Sequence, residues 1–135
     1  VVRAAMSRKT HTIYRPNSMA VHPKAGDPWR GRWSDMDRFE RICWGWMDDN
    51  RRLRQALGRP IQFEKYLTDF EYFRWEIAAP LGIEMSQEKW QSHISKQRNI
   101  TDNFTFPNWE DWSKDQQKTF LAICGEEMKL NGYKI

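Results

Sequence analysis

The sequence predicts an α/β fold: a parallel sheet of the nucleotide-binding type with a helix-rich C-terminal portion, the 135 residues forming part of a single domain. Three observations predict it. Val1-Val2 runs into Arg3 without a turn or start signal, as the end of a buried strand would. Ile61-Gln62-Phe63 alternates apolar and polar, as a second strand would. Between them lies a long amphipathic segment suited to a right-handed crossover helix joining two parallel strands. The composition, 39% apolar and 14% aromatic, belongs to a folding chain, and each ring taken from water removes roughly 150 to 250 Å² of surface.

After the first strand, residues 7 to 33 hold three prolines and two glycines with little periodicity and are expected to form a long, functional or mobile loop. Ser34 is expected to open the first helix, with Asp35 and Asp37 at its positive dipole end and Met36, Phe39, Cys43, Trp46, Met47, Leu53 and Leu57 on its apolar side. Gly58 and Pro60 end it. Past the second strand, Asp69 caps a helix burying Phe70, Phe73, Ile77 and Trp75, which Pro80-Leu81-Gly82 closes. Ser86 caps a third helix bearing Trp90 and Ile94. Ser113 and Gln116 have capping-box spacing before a fourth, with Phe120, Ile123, Cys124 and Met128 on one side and Asn131-Gly132 as its stop. Two short strands do not cover four amphipathic helices, so more strands upstream of Val1 or a partner chain are expected to supply the missing surface.

Charge is uneven. Residues 1 to 33 carry seven Lys and Arg against Asp27 alone, whereas the remainder carries 15 basic and 17 acidic residues. Such asymmetry marks an anion-facing surface, for nucleic acid or a phosphorylated small molecule, or else a solvated basic loop. No run of about 20 apolar residues suits a membrane helix, and no secretory signal pattern is present. Cys43 and Cys124 fall on apolar helix faces as free thiols. A cytoplasmic location is expected, with the Golgi lumen as the alternative that the triplets Asn99-Ile100-Thr101 and Asn103-Phe104-Thr105 leave open.

The chemistry-bearing residues are few. His11, His22 and His93 lack metal-ligand spacing, so no metal site is expected. Asp48-Asp49 beside Arg51, Arg52 and Arg54 is expected to be an exposed intrahelical ion-pair face. Neither a G-x-x-x-x-G-K-[ST] phosphate loop nor a G-x-S-x-G elbow occurs. Arg3, at the C-terminal end of a parallel strand, is placed where open α/β sheets bind ligands and where a guanidinium can hold a phosphate.

The order "VVR", a Trp-containing basic segment, "FERICWGWMDDNRRLRQALGRPIQFEKYLTDFEYFRWEIAAPLGIEM" and "FLAICGEEMKLNGY" resembles the C-terminal half of the sulfotransferase family. Members have a strand ending V-R-D-P-R or V-R-D-G-R, a helix, a strand R-Y-E-D-L, a helix leading to an F-L-G-L-like turn, and a closing M-x-x-L-G-Y. The resemblance implies transfer of a sulfuryl group from 3′-phosphoadenosine 5′-phosphosulfate to a hydroxyl or amine on a small-molecule or glycan acceptor. It implies a donor 3′-phosphate contact at Arg3 and a second eight positions later, where His11 stands in place of the family's serine. Ala4-Ala5 replaces the acidic-proline portion, and Gln62 and Phe63 replace the arginine and tyrosine before Glu64, a structural glutamate. The resemblance puts the phosphosulfate loop and catalytic base, and so the catalytic residues, upstream of Val1. It puts a donor-covering loop at about Lys96 to Trp112, with Arg98, Lys96 and Trp112 as candidate contacts and packing as the competing role of Trp109 and Trp112. Residues 12 to 33 would line the acceptor entrance. The alternative from a different class is a non-catalytic sulfotransferase-like or basic helical module, an assembly subunit or an RNA-binding protein.

Overall fold

The computed structural model describes Met6 and residues 21–96 and 106–134. Among the described residues five α-helices are bounded: α1 (Arg38–Leu57), α2 (Phe63–Thr68), α3 (Phe70–Phe73), α4 (Gln87–Ile94) and α5 (Lys114–Leu130). Short 3-10 turns at Arg30–Arg32 and Trp109–Asp111 lead into α1 and α5.

No strand occurs among the described residues, which corrects the α/β expectation. Val1-Val2 lies outside them. At the second expected strand, Gln62 is extended (φ −94°, ψ 115°), but Phe63 already begins α2. The reason lies in how the backbone is satisfied. The Gln62 N–H donates to the Tyr72 hydroxyl at 3.0 Å and its side-chain amide donates to the Asn131 carbonyl at 3.0 Å, so side chains take the place of a ladder. Three alternating residues are too few to hold a sheet unaided, and Glu64, Lys65 and Leu67 favour the helix that follows. With no strand at 61–63, α1 is not the crossover of a βαβ unit.

Most helix boundaries follow local chemistry. Ser86 accepts the Lys89 N–H, Asp69 accepts the Tyr72 N–H, and Ser113 with Gln116 forms a complete capping box. At the start of α1 the cap is Asp37, not Ser34. Its carboxylate accepts the Glu40 N–H at 2.8 Å while Glu40 accepts the Asp37 N–H at 2.7 Å. Ser34 and Asp35 lie in the preceding turn. Gly58 ends α1 at φ 68°, a left-handed conformation that costs other residues more. Helix α3 widens into a π turn at Arg74–Ala78 and tightens at Ala79–Leu81 before Gly82 stops it. Arg59 donates to the Glu76 carbonyl there at 3.0 Å and pairs with the Glu76 carboxylate, satisfying backbone in the irregular turn.

The main core lies between α1 and α5 and reaches the segment before α1. Cys43 and Cys124, each 0% exposed, meet at its centre, where the Cys124 thiol donates to the Cys43 carbonyl at 3.3 Å. Both cysteines are free, as expected. Phe39 packs edge-on to Trp112 and stacks on Phe106. On the other side of α1, Trp33 meets Trp44 edge-on at 5.1 Å, and Val21 and Trp29 pack against the same cluster. The segment 21–36 is therefore a packed cover. It packs on Trp44, and with Ile42 also buried on a different side the buried surface of α1 is wider than a single apolar stripe. Asp27 holds this cover through Arg51 at 3.1 Å and the Trp44 indole N–H at 3.4 Å. A smaller cluster of Phe73, Ala78 and Trp90, with Tyr66 and Phe70 against it, joins α2, α3 and α4. Phe73 is buried as expected; Trp46 is half-buried, and Trp75 is 58% exposed.

Across the α1–α5 seam, Arg54 donates twice to the Glu127 carboxylate, each bond 2.9 Å, and the Asn131 amide adds a third at 2.8 Å. Burial raises the Glu127 pKa, but the Arg54 and Asn131 bonds and the Arg54 charge outweigh it, leaving the carboxyl below its ordinary value.

Two stability outcomes follow from this packing. Trp44→Ala is expected to cost about 3 to 5 kcal/mol in urea unfolding, whereas Trp75→Ala changes stability by no more than about 0.5 kcal/mol. Because the Glu127 pKa is depressed in the folded state, its stabilisation is present above the ordinary glutamate value of 4.5 and is lost as pH falls through the folded value. Thermal melting between neutral and acid pH should show Glu127→Gln less stable than the wild type near neutrality and flatter in its acid limb.

Candidate functional site

A groove of about 850 Å³ opens beside the α1–α5 seam. Trp46, Leu53 and Leu57 of α1 form one wall, Phe120 and Met128 of α5 another, and Ile61, Phe63, Phe73 and Pro107 to Trp109 help enclose it. Leu53 and Leu57, expected in the core, are exposed groove wall instead. They sit on the face of α1 opposite Arg51, the residue that the 21–36 cover reaches through Asp27. Trp46 packs between Phe120 at 6.3 Å and Tyr133 at 6.4 Å. Trp109 leans on Trp112 at 5.2 Å and edge-on against Phe120 at 5.5 Å, and the Trp112 indole donates to the Pro107 carbonyl at 2.9 Å. Both tryptophans therefore pack, Trp112 in the core and Trp109 at the groove.

The groove's polar groups are few and directional. The Tyr133 hydroxyl donates to the Glu64 carboxylate at 2.7 Å. Burial first, and then that bond, pushes the Tyr133 phenol well above its ordinary value, so it remains a neutral donor. Asp49 also lines the groove, its pKa raised by burial and by neighbouring Asp48, with Arg52 opposing. Arg54 is engaged by Glu127.

The Asp48-Asp49 pair divides between two faces. Asp48 binds Arg51 and, at 2.7 Å, Arg52, as an intrahelical ion-pair face requires, but it is buried rather than exposed because Arg51 also reaches Asp27. Asp49, one residue on, points to the groove side and has no ion pair among the described residues. Its proximity to a groove was not visible in the sequence, since the groove is built from segments far apart in the chain.

Arg3, His11 and Arg98, the residues the sequence nominates for the donor, all lie outside the described residues. Lys96 is exposed at the end of α4. Arg30 and Arg32 are exposed in the turn before α1, where Arg32 approaches Glu40 at 3.7 Å. The groove itself does not fit a multiply anionic nucleotide, because its one arginine is neutralised and two carboxylates face it. Among the described residues there is no group of His, Cys, Asp and Glu able to hold a metal, and no helix is long and apolar enough to cross a membrane. In comparisons with family models, curated proteins and solved structures, none matches this chain.

Proposed function

We propose that the chain is part of a sulfotransferase-like enzyme that uses 3′-phosphoadenosine 5′-phosphosulfate, with Arg3, His11 and Arg98 as its donor contacts. One observation supports this reading beyond the motifs themselves. The two segments that resemble the family, "QFEKYLTDF" and the closing "MKLNGY", are distant in sequence yet touch. Tyr133 donates to Glu64 at 2.7 Å, and Gln62 donates to the Asn131 carbonyl at 3.0 Å. The contact also supports a structural role for Glu64, which receives the C-terminal tyrosine. The described helices act in this reading as the scaffold behind the donor site, and the groove, unsuited to the nucleotide, is left for other ligands.

A non-catalytic helical module is the second reading. The observation that favours it is the missing strand at 61–63, which removes the strand–helix–strand unit expected between the donor contact at Arg3 and the rest of the chain. In that case the basic residues before α1 would face nucleic-acid phosphates.

Titration calorimetry of the full-length protein with 3′-phosphoadenosine 5′-phosphate separates the two. The transferase reading expects binding, with Arg3→Ala losing roughly 1.5 to 3 kcal/mol. Absence of donor binding overturns it. If RNA then binds with a steep salt dependence that Arg30→Ala with Arg32→Ala flattens by roughly 0.7 in slope per contact removed, the second reading stands.

A further inference from the structure

Eight aromatic rings line the groove, among them Trp46, Phe63, Tyr66 and Trp109. Ring faces are negative, and a cation resting on them is attracted. The groove's ionisable groups add to that polarity. Arg54 has both of its bonded N–H groups on Glu127 at 2.9 Å, so its charge is already matched. Glu64 accepts the neutral Tyr133 hydroxyl, and neither Glu64 nor Asp49 has an ion pair among the described residues. Two carboxylates that form no salt bridge among the described residues, Asp49 sensing the Arg52 charge from beyond contact distance, therefore face an aromatic, aliphatic-walled groove of about 850 Å³, a size that suits a ligand of small-molecule dimensions.

From this complementarity we infer that the groove binds an organic cation with an apolar body, an alkyl- or arylammonium. The ammonium is held by Asp49 and Glu64 and the body lies along Leu53, Leu57 and Phe120. An anionic amphiphile meets the same carboxylates and is repelled. A neutral one gains the apolar contact alone. The inference does not depend on sulfuryl transfer, since it concerns the groove and not the donor contacts.

The test titrates the full chain with octylammonium, octanol and octyl sulfate, each below its micellar range. Binding is followed by tryptophan fluorescence, to which Trp46 and Trp109 report, and by calorimetry. Octylammonium should bind about fivefold or more tightly than octanol, with octyl sulfate weakest. Asp49→Asn and Glu64→Gln should each bring octylammonium toward the octanol affinity and leave octanol unchanged. Asp49→Asn breaks no hydrogen bond or ion pair among the described residues, so it carries the test even if loss of the Tyr133 partner's charge unsettles Glu64→Gln. Equal binding of the three probes, or octylammonium affinity unchanged in Asp49→Asn, overturns the inference. So does sedimentation of the chain as a dimer that none of the probes enters, because the groove is then closed by a second copy. Donor binding is measured separately with 3′-phosphoadenosine 5′-phosphate, so failure of either claim leaves the other readable.

Discussion

The close meeting of α1 and α5 at Cys43 and Cys124 is the constraint on which the rest of the structure depends. The Cys124 thiol lies 3.3 Å from the Cys43 carbonyl on the facing helix, so a larger side chain at Cys124 meets backbone. The Cys124 bond, followed by burial, pushes the Cys43 thiol far up, so it stays protonated and acts as packing. From that centre the seam runs to Arg54–Glu127 at one end and to the Phe39, Phe106 and Trp112 rings at the other. The 21–36 cover can sit on the far side of α1 because the seam has fixed that helix, and Asp27 ties the cover down through Arg51 and Trp44.

The groove is a consequence of the same arrangement. The seam and the 21–36 cover take two faces of α1, and in its last two turns the cover still reaches Arg51 while the opposite face, with Leu53 and Leu57, has nothing packed over it. Leu53 and Leu57 therefore form a wall, closed opposite by Tyr133 where Asn131-Gly132 turns the chain back toward Glu64. Because Glu127 has already neutralised Arg54, the groove's remaining charge is negative, the opposite of what a sulfated nucleotide requires.

What was legible in the sequence was mostly local. Asp69, Ser86 and the Ser113–Gln116 box act within three residues of themselves, and Gly58 and Gly132 answer to backbone sign alone, so each could be placed from spacing. The two cysteines were legible because their faces are apolar. Ser34 misled because Asp37-x-x-Glu40 offers two reciprocal bonds where a serine offers one. The strand at 61–63 misled because alternation over three residues carries no information about a partner, and the groups that satisfy Gln62 come from Tyr72 and Asn131. Trp44 was missed as core for a specific reason. A loop rich in proline and glycine gives no periodic signal that it will pack, yet it moved the buried face of α1 toward itself. The groove's carboxylates needed tertiary structure to be found at all.

Hydrogen exchange under native conditions tests the central dependence most directly. If α1 and α5 stand only together, the amides of Ile42 to Met47 and of Ile123 to Glu127 should exchange through one shared opening, with equal free energy and equal response to denaturant. Exchange of the α5 amides through an opening of markedly lower free energy, with α1 still protected, would contradict the account.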